Sequence, residues 1–329
     1  LWTGNIGRRL ELTWWQMFEV MRKSDHFSDE AIFHYLDGVI RQCRLLTNPT
    51  IFQEWDDSGL HGAMALAKSG MLFEMCDEAP LWSRVGWDRI NTVMDVQFHP
   101  DGSHVSLSTG YAWATIKGFQ EFYLYIKESG GTVPEKMRTL IKGMYFHPFV
   151  LTRPDFGNID LNDGGWSELT DLAGEAHELF PDRADYHFFA SEGEAGTEPN
   201  PVSMYFPNAG QYVLRTGWGP EDKFLFFGAG PWGASHGKMD ALNIYAAYGP
   251  HLLIRNAGRG AYSGVGNTIH AGKSLSFNVL SPDWAQENSV PHWNQEKAIG
   301  FHPPKRRFTN SQHFEYGEGA FTYGWHKPG

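Results

Sequence analysis

The sequence predicts an α+β multidomain chain, with helices first and antiparallel strands after. Up to about residue 148, apolar residues recur at helical spacing and no strand alternation competes with them. From Tyr205 onward, short apolar runs of strand length alternate with turns of Gly, Pro, Asn and Asp. Between them, residues 151–204 are dominated by turn chemistry, as in Asn162-Asp163-Gly164-Gly165. Helices grouped before strands imply separate layers or domains rather than a parallel α/β sheet. The expected division is a helical domain over 1–150, a linker with a short helix over 151–204, and an antiparallel β-sheet domain, as sheet or sandwich, over 205–329.

Leu10 to Lys23 is expected as the first helix, with Trp14, Trp15, Phe18 and Met21 among its apolar positions. Asp29 to Leu46 is the second. Ser28 is its N-cap, and Ile32, Phe33, Leu36, Val39 and Ile40 share a face. Gly62 to Met75, Trp82 to Phe98, Ala112 to Ile126 and Glu135 to Phe146 continue an antiparallel helical array. A short helix is expected over Ser167 to Leu179, and Ser191 to Pro201 is a loop. Strands are expected at Gln211–Thr216, Lys223–Phe227, Ala241–Tyr248, His251–Ile254, Lys273–Leu280, His313–Tyr316 and Ala320–Trp325, with Gly249-Pro250 as one of the turns.

Composition narrows the function classes. A net charge of −11 argues against a general nucleic-acid binder and requires a local basic patch if the ligand is a polyanion. Thirteen Trp and thirteen Tyr suit large cores or sugar-stacking surfaces. No window approaches the roughly 20 apolar residues of a membrane span. Cys43 and Cys76 make neither a disulfide framework nor a zinc motif and read as free thiols. The chain opens at Leu1 without a signal-peptide pattern and reads as a fragment or processed chain.

Three polar segments stand out. Trp55-Asp56-Asp57-Ser58-Gly59-Leu60-His61-Gly62 reads as a loop entering a helix, with His61 at its mouth. Pro100-Asp101-Gly102-Ser103-His104 is a turn leading through Ser108-Thr109-Gly110 to Tyr111 at a helix start. Ser235-His236-Gly237-Lys238-Met239-Asp240 is a loop between buried strands, within a stretch running from Phe224 to Tyr262. Taken singly, each has a plain alternative: a capping histidine, a packing tyrosine, a surface turn. No nucleophile elbow, phosphate loop, dinucleotide fingerprint or HExxH helix is present.

Their order is more specific than any one of them. Helical domain, LHG segment, DGSH-to-Tyr segment, PDFGN turn and strand-HGKMD-strand together resemble the heparinase II/III-like polysaccharide lyases, which include heparin, heparan sulfate, chondroitin and alginate lyases. The likeness runs from about Trp55 to His270 and is strongest over Asp101 to Tyr111 and Asn208 to Asp240. It implies an incomplete (α/α) toroid followed by a β-sandwich domain, both short here. It also implies an acidic polysaccharide substrate, no cofactor, and a periplasmic or secreted location.

The implied reaction removes the C5 proton of a uronic acid and breaks the bond to the C4 oxygen. It needs a quencher of carboxylate charge, a base at C5 and an acid at the leaving oxygen. A tyrosine does both proton transfers if cationic or hydrogen-bonding neighbours ease its ionisation. By resemblance, Tyr111 is the base and acid. His61 is a carboxylate contact or alternative base, and His236 a substrate-orienting donor. These three are expected to converge in one cleft between the helical and β domains. Arg8, Arg9, Arg215 and Lys238 are candidate polyanion contacts, and Trp14, Trp55, Trp113 and Tyr262 candidate sugar contacts.

Two departures from the family pattern matter. The family's carboxylate-neutralising Asn or Glu falls where this chain has Leu60 or Met64, and neither hydrogen-bonds a carboxylate. Many relatives also hold a zinc in the β domain. The matching places here are Lys238, Asn256 and His270, so no metal is expected. Lys238 would instead pair with Asn256 or Asp240 and brace the His236 loop. Two further readings stay open. One is a non-catalytic acidic-glycan binder, which Leu60 favours. The other is a glycoside hydrolase using a carboxylate pair from Asp56, Asp57 and Asp101.

Overall fold

A computed structural model describes residues 4–165, 169–234, 236–259, 273–287, 306–321 and 324–326. The chain divides into two compact units, Leu1–Gln97 and Phe98–Gly329. The change from helix to strand falls near residue 200, inside the second unit.

In the first unit, α1 (Gly4–Arg9) runs through a π-helical turn at Leu10–Trp14 into α2 (Trp15–Met21). α3 (Asp29–Leu46) starts where expected, because the Ser28 side chain accepts the Ala31 N–H. α4 (Asp57–Leu72) and α5 (Ala79–Val96) follow. A core of Leu10, Trp15, Val39, Cys43, Leu66 and Trp82 joins them. α1 crosses α4 so closely that a Cβ at Gly7 would lie 2.4 Å from the Gly62 nitrogen, so only glycine fits there. The Arg89 guanidinium of α5 donates to the carbonyls of Leu46, Thr47 and Asn48, satisfying the C-terminal end of α3.

One expectation is corrected here. Residues 57–61 are helix, not loop. Asp56 is the N-cap, its carboxylate accepting the Ser58 N–H at 2.9 Å, and Leu60 and Met64, one turn apart, are fully buried.

In the second unit, α6 (Thr109–Glu128) starts at the Ser108 cap. α7 (Glu135–Met144), α8 (Phe146–Val150), α9 (Thr170–Leu179) and α10 (Ala184–Ala190) follow, the last of them not predicted by the sequence pattern. Five strands then form an antiparallel meander: β1 (Met204–Phe206), β2 (Gln211–Arg215), β3 (Lys223–Gly228), β4 (Asn243–Tyr248) and β5 (His251–Ile254). Val213, Phe226 and Tyr245 stand in register across β2, β3 and β4 and are buried. Helices and sheet are tied by buried polar contacts. His147 Nε2 donates to Gln211 Oε1 at 2.7 Å, and Arg153 reaches the Tyr245 hydroxyl at 3.5 Å.

Beyond β5 the strand pattern is shorter than expected. Lys273–Leu280 is not a strand: it holds a 3-10 turn at Ser274–Ser276. Asn278 then bonds to Asn243 and Ile244 through side chains as well as backbone, in place of a regular ladder. β6 (Gln286–Glu287) pairs with β9 (Trp325–His326); of the strand expected over Ala320–Trp325, Ala320, Phe321 and Gly324 are not strand and only Trp325 is. β7 (Arg307–Asn310), which the pattern did not predict, pairs with β8 (Glu315–Glu318), two residues later than the strand expected at His313–Tyr316. Among the described residues, no helix is long and apolar enough to cross a membrane.

Candidate active site

In the second unit, two expected residues 125 positions apart in the chain meet face to face. Tyr111 lies in the first turn of α6, its backbone N–H 3.4 Å from the Ser108 hydroxyl that caps the helix. Its ring stacks on the His236 imidazole, with centroids 3.2 Å apart and planes 12° from parallel. His236 Nδ1 is 2.9 Å from Asp163 Oδ2, and Lys238 Nζ is 2.5 Å from Asp163 Oδ1. Burial pushes the Asp163 carboxyl up, but the His236 and Lys238 hydrogen bonds outweigh it and hold the group below the usual carboxylate range.

The support for this group lies in the Asn162-Asp163 turn. Asn162 Oδ1 accepts the Lys238 backbone N–H at 2.8 Å, and its Nδ2 donates to the Leu107 carbonyl, just ahead of α6, at 3.0 Å. Asn162 takes φ +53°, a left-handed conformation that asparagine tolerates. A Cβ at Gly164 would lie 2.2 Å from the Thr109 hydroxyl oxygen, so the turn can press against the start of α6 only with glycine there. Sequence reasoning marked this segment as turn chemistry and missed its role. The available signal was an Asn-Asp-Gly-Gly run that demands a special backbone and presents a carboxylate.

Lys238 is paired with Asp163, not with Asn256 or Asp240. Asn256 is buried and donates to the Asp160 carbonyl at 2.6 Å, and burial raises the Asp240 carboxyl to about 7. These residues do not fit a zinc: an ammonium has no lone pair to give, and the amide is committed elsewhere. His270 and Tyr262 lie outside the described residues. Purified protein is expected to carry well under one zinc per chain and to keep its melting temperature in a chelator. Stoichiometric zinc would overturn the assignment of these positions.

His61 belongs to the first unit. It sits on α4 with Nδ1 2.7 Å from Glu11 Oε2, and Lys68, two turns further along the same helix, reaches Glu11 Oε1 at 3.1 Å. Burial pushes the Glu11 carboxyl up, but the His61 hydrogen bond and the Lys68 charge outweigh it and keep it low. Neither Glu11 nor Lys68 was among the sequence candidates, although the seven-residue spacing of His61 and Lys68 marks one helix face.

Arg215 is corrected from polyanion contact to buried structural cation. It lies 3.9 Å from the Trp218 ring centroid and 4.7 Å from that of Phe224, and donates to the Val150 and Thr152 carbonyls. Arg8 pairs with Asp57, and Arg9 donates twice to Gln42 Oε1. Trp14 packs on Tyr35 at the edge of the apolar core. Trp55 is half-buried in the turn before α4. Trp113 is half-buried on α6, and its indole N–H has no partner among the described residues. Asp101 accepts from the Ser103 hydroxyl and from the Ser103 and Asn208 N–H groups. Burial pushes its carboxyl up, but these bonds hold it low, opposite to what a catalytic acid needs.

The profile of the heparinase II/III N-terminus family matches residues 2–188. A heparin-sulfate lyase of Pedobacter heparinus is 24% identical over 68% of this chain and 34% of its own length. One from Bacteroides thetaiotaomicron is 22% identical over 71% and 35%. The chain thus spans about a third of the length of these curated relatives. A crystal structure of heparinase III superposes with a TM-score of 0.81 at 19% identity, covering 95% of this chain and 50% of that one.

Proposed function

The chain belongs to the heparinase II/III family through that family's N-terminal part, and on that premise we propose that it acts as a polysaccharide lyase. In this reading it cleaves a uronic-acid-containing polysaccharide by β-elimination and leaves unsaturated oligosaccharides. The observation that carries the reading is the Tyr111 phenol stacked on a His236 imidazole that a carboxylate holds in place. In the proposed roles, Tyr111 takes the C5 proton and returns one to the leaving oxygen, and His236 orients the sugar through Nε2. His61 is assigned a uronate contact from its motif. The helical part is read as an arc of an (α/α) toroid and the strands as part of a sandwich domain. Naming the relatives heparin-sulfate lyases favours a glycosaminoglycan over alginate.

One observation favours a second reading, an acidic-glycan binder without turnover. Leu60 and Met64, at the neutralising positions, are buried in the core and present no donor to a uronate. The hydrolase reading loses support, since Asp56 is a helix cap, Asp57 pairs with Arg8, and Asp101 is a loop brace. Incubation with a panel of uronate polymers separates the three. Ultraviolet absorbance from a conjugated double bond is the expected result. Reducing ends without that absorbance would mean a hydrolase, and retention without products a binder.

A further inference from the structure

The His236 ring makes its one described side-chain hydrogen bond through Nδ1, to Asp163. Its Nε2 is buried and has no hydrogen-bond partner among the described residues. The ring is fixed in orientation from two sides, by the Tyr111 face and by Asp163. Asp163 is itself gripped by Lys238, and the adjacent Asn162 ties the Lys238 backbone to the residue pair leading into α6.

Building on the lyase reading of this site, we propose that Asp163 is the positioning residue that keeps a proton on His236 Nδ1 and so confines proton exchange and hydrogen bonding with the sugar to Nε2. An ionised carboxylate only accepts, so the ring nitrogen facing it must carry the hydrogen. That holds whether the imidazole is neutral or charged. Nε2 then donates when the ring is charged and accepts when it is neutral, and no rotation of the ring can exchange the two nitrogens without breaking the Asp163 bond. Lys238 serves two ends: its charge keeps Asp163 an acceptor, and its occupation of Oδ1 leaves Oδ2 for the ring. A tautomer set in this way by the partner of the other nitrogen is a general device for histidine.

Asp163→Asn tests this with nearly unchanged shape. Lys238 can only donate, so it takes the amide oxygen and turns the amide NH₂ toward His236. Nδ1 must then accept, and the neutral ring moves its proton to Nε2. Proton-coupled nitrogen-15 spectra of histidine-labelled protein, with His236 assigned by its loss in His236→Gln, read this directly. The expected result is protonated Nδ1 and bare Nε2 in the neutral ring of the parent protein, reversed in Asp163→Asn. On the substrate found for the parent, kcat should fall on the order of 10²-fold with KM within about twofold. Asp163→Glu should recover part of kcat. A parent ring protonated at Nε2, or a tautomer unchanged in Asp163→Asn, would overturn the proposal. If Asp163→Asn does not fold, the parent spectrum still decides. If no uronate polymer is cleaved, the lyase reading falls while the spectra judge Asp163 on their own.

Discussion

Tyr111→Phe is expected to abolish elimination while leaving glycan binding and folding nearly unchanged. The phenylalanine ring keeps the face-to-face contact with His236 and the place in the first turn of α6, where the Ser108 cap acts on backbone rather than side chain. Only the hydroxyl is lost. In the proposed mechanism that hydroxyl is both the acceptor of the C5 proton and the donor to the departing C4 oxygen. Loss of such a group costs at least about 10²-fold in turnover. The measurement is the rate of absorbance increase on the active polymer, with binding followed by titration and folding by melting temperature. Turnover near that of the parent would remove Tyr111 from the mechanism. Loss of binding in step with turnover would instead make the hydroxyl a substrate contact.

The second large effect is on stability in mild acid. His104 and His147 are both buried in the second unit. Burial first, and then the charges of nearby histidines, push His104 down to about 3. Burial pushes His147 down to about 4, with the Gln211 hydrogen bond and Asp101 pulling the other way. In the unfolded chain both titrate near the ordinary 6.5. Between these values the unfolded state binds protons that the folded state refuses, so stability rises with pH across that window. Their contribution is full above about pH 6.5 and is lost as pH falls toward 4 and then 3. The slope is about 1.4 kcal/mol per histidine per pH unit; Asp240, which burial raises to about 7, binds its proton in the folded state over the same window and offsets about one histidine, so two units remove about 3 kcal/mol net from a typical total of 5–15.

Asp101 and Asp163 lie below the usual carboxylate range, so their contributions are lost only at lower pH, below about 4. Melting temperature should therefore fall between pH 6.5 and 4.5 with about one histidine's net slope, and His147→Gln, which retains a donor for Gln211, should flatten the fall. Parallel curves for parent and variant would show that His147 is not the group responsible.

How much of this was legible in the sequence depends on how far apart the interacting residues lie. The α3 helix and its Ser28 cap, the body of α6, and strands β2 to β5 follow from periodicity and turn chemistry, because the residues that decide them are within one or two turns of each other. The family order also singled out Tyr111 and His236, together with His61, as site candidates, and left their stacking to the structure. Local pattern misjudged Asp57 to His61, where a run of polar residues and glycine looks like loop but Asp56 caps it into helix and burial of Leu60 and Met64 holds it there.

Arg215 shows the opposite limit. A cation in a strand looks free to meet a polyanion, yet this one is enclosed by Trp218, Phe224 and the carbonyls at the C-terminal end of α8, groups whose approach only packing decides. Asp163 stands 73 residues from His236, in a segment whose composition says only that the chain turns there. By itself, then, the sequence determined which short stretches are helix or strand and which residue types carry the chemistry. Tertiary structure alone decided which carboxylate faces which histidine nitrogen and which cations are buried, because those contacts depend on distances between segments that no local spacing encodes.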